Sequence, residues 1–293
     1  MNFMEIKAHT HRKYSILGKY LGACKKFDDI YQNFTYVETH GGTGQVIDYE
    51  SKKPIDGSVL IAAKLQPSFP CHVVEIDPEN YKSLQQSTQG YSNITLYPGD
   101  CNDLIHTILD QIPKGRKFVL CYVDPSGLVY KGPGGVECYQ LRSETIQTIA
   151  NFPRSELLLN FPLEAIIRCS GDYYKHPDEP RAQANGENVT AFMGSETWQE
   201  LPKRERSPRD FLELYMGEQL MSYPYKGAIL VRSEARNLPM YYLIYTTHNP
   251  TAAKIMRYIM RKEGDYPIHY DLVKGRAPTL DEAFPLDHYI FEK

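Results

Sequence analysis

Short apolar runs alternate with stretches of helical periodicity along most of the 293-residue chain. Apolar positions three and four residues apart predict a first helix over 11–26. Five strand-like runs follow it, namely Phe34–Glu38, Cys71–Ile76, Ile94–Tyr97, Phe118–Val123 and Glu156–Asn160. The segments between these strands that are predicted as helices are Ser58–Leu65, Asp77–Leu84, Asp100–Ile112 and 139–151. The fourth strand is almost wholly apolar, which is typical of a central strand buried on both faces.

The pattern changes after the fifth strand. Polar residues and prolines dominate Gly171–Asn188, and we interpret this stretch as an insertion loop. A helix is predicted near 207–221, followed by two strands, Gly227–Arg232 and Tyr241–Thr246, that a short polar turn joins as a hairpin. A helix over Thr251–Lys262 comes next. The residues beyond it are aromatic and charged and lack a clear period.

Repeated strand–helix steps followed by a hairpin predict an α/β fold. We expect a Rossmann-like sheet that is mostly parallel, with a C-terminal antiparallel hairpin and helices on both faces. The length suits one elaborated domain. We therefore predict one domain over 1–265 with an insertion near 161–205, and a C-terminal extension over 266–293.

Composition narrows the functional classes. The formal net charge is −3 and the isoelectric point is about 6.3, so nucleic acid would require a local basic patch. No apolar run is long enough for a membrane span, and membrane binding is not expected. The six cysteines are far apart and form no CxxC pair, which argues against a metal site and favours a reducing, cytoplasmic location.

Four of the predicted strands are followed by polar or glycine-rich sequence. The glycine-rich turn after the first strand allows backbone N–H groups to approach a ligand closely. Glu75 ends the second strand, where a carboxylate accepts hydrogen bonds from both hydroxyls of a ribose. Asp100 follows the third strand and suits either an adenine amino group or a helix N-cap. Asp124 ends the buried fourth strand, where a carboxylate is costly unless it is hydrogen-bonded or used. Because parallel strands end at one edge, these features predict a site for a nucleoside-containing ligand.

The order of these motifs resembles that of the class I S-adenosylmethionine (SAM)-dependent methyltransferases, and more closely the prokaryotic three-Cys-motif partner family (TcmP), which has that fold. The stretches that resemble this family are HTHRKYSILGKYL, YVETHGGTG, VEIDPE, YPGDCN, YVDPSG, LLNFPLEAIIR, FMGSETWQEL and YYLIYTTHNP. They extend over about residues 9–263. The family name refers to a partner protein, so the resemblance also implies a protein partner.

The resemblance implies a role for each motif. Thr39 to Gly44 would contact the methionine part of SAM, Glu75 its ribose and Asp100 its adenine, and Asp124 would lie near the methyl group. The expected cofactor-binding residues are Glu38, Thr39, His40, Gly41, Gly42, Gly44, Glu75, Asp100, Cys101 and Asp124. The expected catalytic residues are Asp124 and Ser126, and the expected substrate-contacting residues are Tyr130, Lys131, Asn160 and Phe161.

Two functions are favoured by the sequence, and a nucleotide-processing or hydrolytic enzyme ranks last because the chain has no phosphate-binding G-K-[ST] loop. The first is methyl transfer from SAM to an unidentified acceptor, with nucleic acid as one candidate because of the basic clusters at Lys203–Arg209 and Arg257–Lys262. The fourth-strand motif, Asp-Pro-Ser-Gly, lacks the aromatic residue that stacks on a flipped base in amino-group methyltransferases, which argues against base N-methylation. The second function is a non-catalytic SAM- or nucleotide-binding protein that acts as a partner or scaffold in a larger complex.

Overall fold

The computed structural model describes residues 4–6, 8–31, 34–65, 69–113, 118–132, 137–201, 207–233, 237–263 and 268–273. The strands are β1 (Met4–Ile6), β2 (Phe34–Glu38), β3 (Gln45–Asp48), β4 (Pro54–Asp56), β5 (Cys71–Glu75), β6 (Ile94–Pro98), β7 (Phe118–Val123), β8 (Val129–Lys131), β9 (Glu137–Tyr139), β10 (Ser155–Phe161), β11 (Tyr225–Arg232), β12 (Pro239–Thr247) and β13 (Ile268–Val273). The helices are α1 (Ala8–Tyr31), α2 (Ser58–Leu65), α3 (Pro78–Thr88), α4 (Cys101–Gln111), α5 (Ser143–Ala150), α6 (Leu163–Lys175), α7 (Pro180–Met193), α8 (Pro208–Glu218) and α9 (Pro250–Glu263).

The main sheet has eight strands in the order β13-β11-β12-β10-β7-β2-β5-β6. Strands β6, β5, β2, β7 and β10 are mutually parallel. Strand β12 is antiparallel to β10, and β11 and β12 form an antiparallel hairpin. This mostly parallel, Rossmann-like sheet with its C-terminal antiparallel hairpin confirms the predicted fold class. The strand order reverses between β2 and β7, which is where ligands bind in such sheets.

Side chains of the central strands alternate between two helical layers. On one face, Leu120 and Tyr122 of β7 pack in a cluster with buried residues of α1, α2 and α9. On the other face, Val119, Cys121 and Val123 pack with residues of α4 to α8. Both faces are therefore buried, and the apolar sequence of β7 follows from this position.

Two small sheets stand at the carboxyl edge of the main sheet. Strands β1, β3 and β4 form a three-stranded sheet, and β8 and β9 form a two-stranded one. The sequence predicted neither, because strands of three or four residues are too short to show a period. Their positions matter because residues of both small sheets line the cavity described below.

The interpretation of Gly171–Asn188 as a loop was wrong. Most of this stretch is helical, since α6 extends to Lys175 and α7 begins at Pro180. The first turn of a helix tolerates proline, and Pro180 occupies it. Apolar residues of α7 at helical spacing, such as Val189 and Phe192, join the core. The prolines therefore separate two helices.

The structure describes only residues 268–273 of the predicted C-terminal extension. Strand β13 lies within the predicted extension over 266–293 and pairs with β11 as an edge strand of the main sheet. Residues 274–293 lie outside the described residues. Among the helices in the described ranges, none combines the length and the apolar character that a membrane span requires.

Candidate ligand-binding site

A cavity of about 560 Å³ opens at the carboxyl ends of the parallel strands. Pockets of a few hundred to a thousand cubic ångströms are the usual size for small-molecule and cofactor ligands. The expected site residues that line the cavity are Thr39, His40, Gly41, Gly42, Gly44, Glu75, Asp100, Cys101, Asp124, Ser126, Tyr130, Lys131 and Asn160. The topology therefore brings together residues as far apart in the sequence as Thr39 and Asn160.

The glycine-rich turn lies against β5 and α3, and two of its glycines are required by the space available. A Cβ atom on Gly41 would lie 2.5 Å from Val73 Cγ1, and one on Gly44 would lie 2.1 Å from Ser87 Oγ. Gly44 also has a φ of +75°, in the left-handed region that favours glycine. The turn can therefore present its backbone to the cavity only because these positions lack side chains.

Glu75 joins the glycine turn to the end of β5. Its carboxylate accepts hydrogen bonds from Gly42 N at 2.7 Å and from Asp77 N at 2.8 Å. Burial raises the pKa of Glu75, and these backbone N–H groups oppose the rise because they stabilise the ionised form. The side chain lines the cavity and is only slightly exposed. The carboxylate is thus positioned before any ligand arrives.

The third strand end presents Asp100 and Cys101. Asp100 caps α4, accepting hydrogen bonds from Asn102 N and Asn102 Nδ2, each at 2.8 Å. Burial raises its pKa. Cys101 donates a hydrogen bond from Sγ to Gln140 O at 3.5 Å, and burial raises the pKa of its thiol strongly. A buried neutral thiol is a poor nucleophile, so this cysteine serves as cavity wall.

His40 is held as a neutral imidazole. Gln140 O lies 3.2 Å from Nε2 and can only accept, so Nε2 bears the proton. Nδ1 then accepts a hydrogen bond from Thr39 Oγ1 at 2.7 Å. Burial is the main reason that the pKa of His40 falls to about 4. With both ring nitrogens occupied, His40 is unsuited to act as a base at neutral pH.

Asp124 accepts hydrogen bonds from three side chains. Lys13 Nζ lies 2.6 Å from Oδ1 and 2.8 Å from Oδ2. Asn160 Nδ2 donates to Oδ1 at 2.8 Å, and Tyr122 OH donates to Oδ2 at 3.0 Å. Burial by itself would raise the pKa of Asp124, but the Lys13 ammonium and these hydrogen bonds hold it below its ordinary value. The side chain is therefore a carboxylate at neutral pH and a weak base.

The sequence interpretation missed Lys13. This residue lies 111 positions before Asp124 and is buried. It shares the buried stripe of α1 with Ile16, Leu17 and Tyr20, at spacings of three, four and seven residues. A lysine on the apolar face of a helix was a signal that could have identified it, because such a charge needs a partner.

Two expected site residues do not reach the cavity. Phe161 has no exposed surface, and its ring packs against Phe192 and Tyr215 in the core, so its assignment as a substrate contact was wrong. Neighbouring residues of a strand point to opposite faces, and Asn160 takes the cavity side. Glu38 is also fully buried and does not line the cavity; it accepts hydrogen bonds from Tyr36 and from Ser58, of which Ser58 lines the cavity.

Ser126 is fixed by a neighbouring glutamine. Its backbone N–H donates to Gln140 Oε1 at 2.6 Å, and Gln140 Nε2 donates to Ser126 Oγ at 2.8 Å. This pairing fixes the loop after β7 against β9. Within the described ranges, no group of three or more His, Cys, Asp or Glu residues is arranged to hold a metal ion.

No protein-family model matches the chain, and no curated protein matches it. Solved structures resemble it in fold. Protein LPL1258 from Legionella pneumophila is 13% identical with a TM-score of 0.48, over 89% of this chain and 98% of its own. The O-methyltransferase TomG from Streptomyces achromogenes, solved in complex with SAM, is 13% identical with a TM-score of 0.41, over 79% of each chain. Similarity at this level assigns neither a family nor an activity.

Proposed function

We propose that this chain is a SAM-dependent methyltransferase. One observation carries the proposal: the glycine turn, Glu75, Asp100 and Asp124 follow four neighbouring parallel strands and line one cavity at the point where strand order reverses. An elongated nucleoside ligand that crosses these strand ends would meet Asp124, the glycine turn, Glu75 and Asp100 in that spatial order. The more specific TcmP assignment, with a protein partner, remains part of the proposal on the sequence motifs alone.

The residues of the cavity fit such a cofactor. Side chains on Gly41 and Gly44 would collide with β5 and α3, so the turn leaves its backbone open to a ligand. Glu75 is a positioned acceptor for two ribose hydroxyls, and Asp100 is an acceptor for an exocyclic amine. SAM would supply an electrophilic methyl group on a sulfonium. The carboxylate of Asp124 would provide negative charge near that cation.

Alignment is the main task that these side chains would perform. Methyl transfer is an in-line displacement, so fixing donor and acceptor matters more than proton transfer. Asp124 is unsuited to remove a proton, because Lys13, Asn160 and Tyr122 already donate to both of its oxygens. We therefore assign Asp124 an electrostatic role and Ser126 a supporting role in shaping the loop.

The remaining cavity wall would contact the methyl acceptor. It includes Tyr14, Tyr130, Lys131, Arg168 and Tyr241. Aromatic and basic side chains of this kind contact the bases and phosphates of nucleic acids. Nucleic acids are therefore the first acceptors to test, followed by small anionic aromatic molecules.

Calorimetric titration with SAM and S-adenosylhomocysteine tests the cofactor assignment. Micromolar binding that is weakened in both Glu75→Ala and Asp100→Ala supports it, and absence of binding to folded wild-type protein contradicts it. Incubation with methyl-labelled SAM and extracted RNA, DNA or protein then tests turnover. Binding without transfer, together with recovery of a stable protein complex, would favour the non-catalytic partner function.

A further inference from the structure

The ion pair between Lys13 and Asp124 joins the first helix to the centre of the proposed active site. Lys13 is on α1, whereas Asp124 follows β7, and the ammonium contacts both carboxylate oxygens. The Lys13 side chain is 9% exposed and the Asp124 side chain 17%. Charges with so little solvent contact depend strongly on each other, because loss of one leaves the other uncompensated.

We propose that Lys13 is a positioning residue that keeps the Asp124 side chain an ionised carboxylate beside the reacting methyl group. The proposal rests on the proposed function for the identity of the ligand, but the state of Asp124 can be measured without any ligand. Tyr122 and Asn160 also donate to Asp124 but are neutral. Lys13 therefore supplies the positive charge in direct contact with the carboxylate.

The electrostatic surroundings of Asp124 explain why a cation is needed there. The titratable groups that face it are Lys13 and Tyr14 on α1, Glu38 and His40 around the end of β2, Tyr122 on β7 and Tyr241 on β12. The three tyrosines have strongly raised pKa values and remain neutral, and so does His40 above about pH 4. Without the ammonium, burial would favour the protonated form of Asp124.

The charge state of Asp124 should matter to a sulfonium ligand. SAM carries a positive charge at sulfur that S-adenosylhomocysteine lacks, so the ratio of their affinities reports the local electrostatic potential. With Lys13 present, this ratio should not vary with the protonation of Asp124 near neutral pH, because the carboxylate stays ionised. With Lys13 replaced by a neutral side chain, ionisation of Asp124 should strengthen SAM binding relative to S-adenosylhomocysteine as the pH rises.

The experiment uses the full chain carrying Glu38→Gln, because the pKa of Glu38 is raised to about 8 and its titration would overlap the measurement. The carboxyl carbon of Asp124 is followed by NMR in aspartate-labelled protein from about pH 5.5 to about pH 9, with Asp124→Asn for assignment. We expect no titration in this parent or in Lys13→Arg, and a clear titration within that range in Lys13→Met. Lys13→Gln replaces the methionine variant if the latter does not fold.

Calorimetry over the same pH range gives the second readout. In Lys13→Met, the affinity ratio of SAM to S-adenosylhomocysteine should rise by about tenfold with pH, while Lys13→Arg stays flat. Adding Asp124→Asn to Lys13→Met should remove the change. An Asp124 signal that keeps the chemical shift of an ionised carboxylate throughout the range in Lys13→Met would overturn the role of Lys13, even if both ligands bind. Failure of both ligands to bind the folded wild-type chain would instead refute the proposed function, and the NMR titration would still decide the role of Lys13.

Discussion

Replacing Glu75 with glutamine tests whether this side chain both fixes the glycine turn and binds the ribose. The carboxylate accepts from Gly42 N at 2.7 Å and from Asp77 N at 2.8 Å, one bond to each oxygen. Glutamine has a single acceptor oxygen, so one of the two backbone N–H groups would face an NH₂ group. The variant keeps the size of the side chain and changes only its hydrogen-bonding capacity and charge.

The expected magnitude follows from these contacts. A hydrogen bond to a charged group contributes about 1.5–3 kcal/mol, and the low exposure of Glu75 leaves little discount for solvent. Burial disfavours the charged carboxylate of Glu75, and the neutral glutamine avoids this cost, which offsets part of the loss. We expect the free energy of unfolding to fall by about 1–2 kcal/mol. Loss of one ribose bond should weaken S-adenosylhomocysteine binding by about 2 kcal/mol, or about 30-fold in Kd.

Urea unfolding measures the first quantity and calorimetry the second. The matched control is the half-buried Thr190→Val, which removes the acceptor for Nε1 of the buried Trp198 at 2.9 Å, away from the cavity. That variant should lose about 1–2 kcal/mol of stability with unchanged affinity. Wild-type affinity in Glu75→Gln, or an equal loss of affinity in both variants, would refute the reasoning.

Three further changes have defined outcomes. Burial raises the pKa of Glu38 from 4.5 to about 8, so between these pH values the folded chain binds more protons than the unfolded chain. The free energy of unfolding should therefore fall as the pH rises, by up to about 1.4 kcal/mol per pH unit. Glu38→Gln should flatten this slope in urea unfolding measured from pH 5 to pH 8, and an unchanged slope would contradict the assignment. Gly41→Ala places a Cβ 2.5 Å from Val73 Cγ1, and it should lower the thermal midpoint through about 1–3 kcal/mol of overpacking, whereas Gly90→Ala, with open space around it, should not. Cys101 should resist iodoacetamide in folded protein because burial raises its pKa; rapid labelling of this thiol, located by mass spectrometry, would show that the cavity wall opens.

Much of the fold and several residues of the candidate site can be predicted from local sequence. The apolar runs that became β2, β5, β7 and β10 are recognisable without a structure, because strands buried on both faces need continuous apolar sequence. Parallel strands end at the same edge, so the polar sequence after each one converges there. For this reason the glycine turn, Glu75, Asp100 and Asp124 were predicted to form one site, and all line one cavity.

The direction of a side chain and its contacts with residues distant in the sequence could not be predicted from local sequence patterns. Asn160 and Phe161 are neighbours, but the pleat of β10 directs one to the cavity and the other to the core. The prolines between Tyr174 and Arg181 suggested a loop, whereas packing against the core stabilises a helix on each side. Helical packing of this kind depends on partners distant in sequence.

The sequence by itself determined the order of the five parallel strands and of the helices between them, and the chemical character of the strand ends that line the cavity. Only the tertiary structure decided the state of Asp124. Its partner Lys13 lies 111 residues away on a helix that crosses to the same edge of the sheet, and no local rule connects the two positions. Charge state depends on burial and on contacts within a few ångströms, and these arise only when the chain has folded.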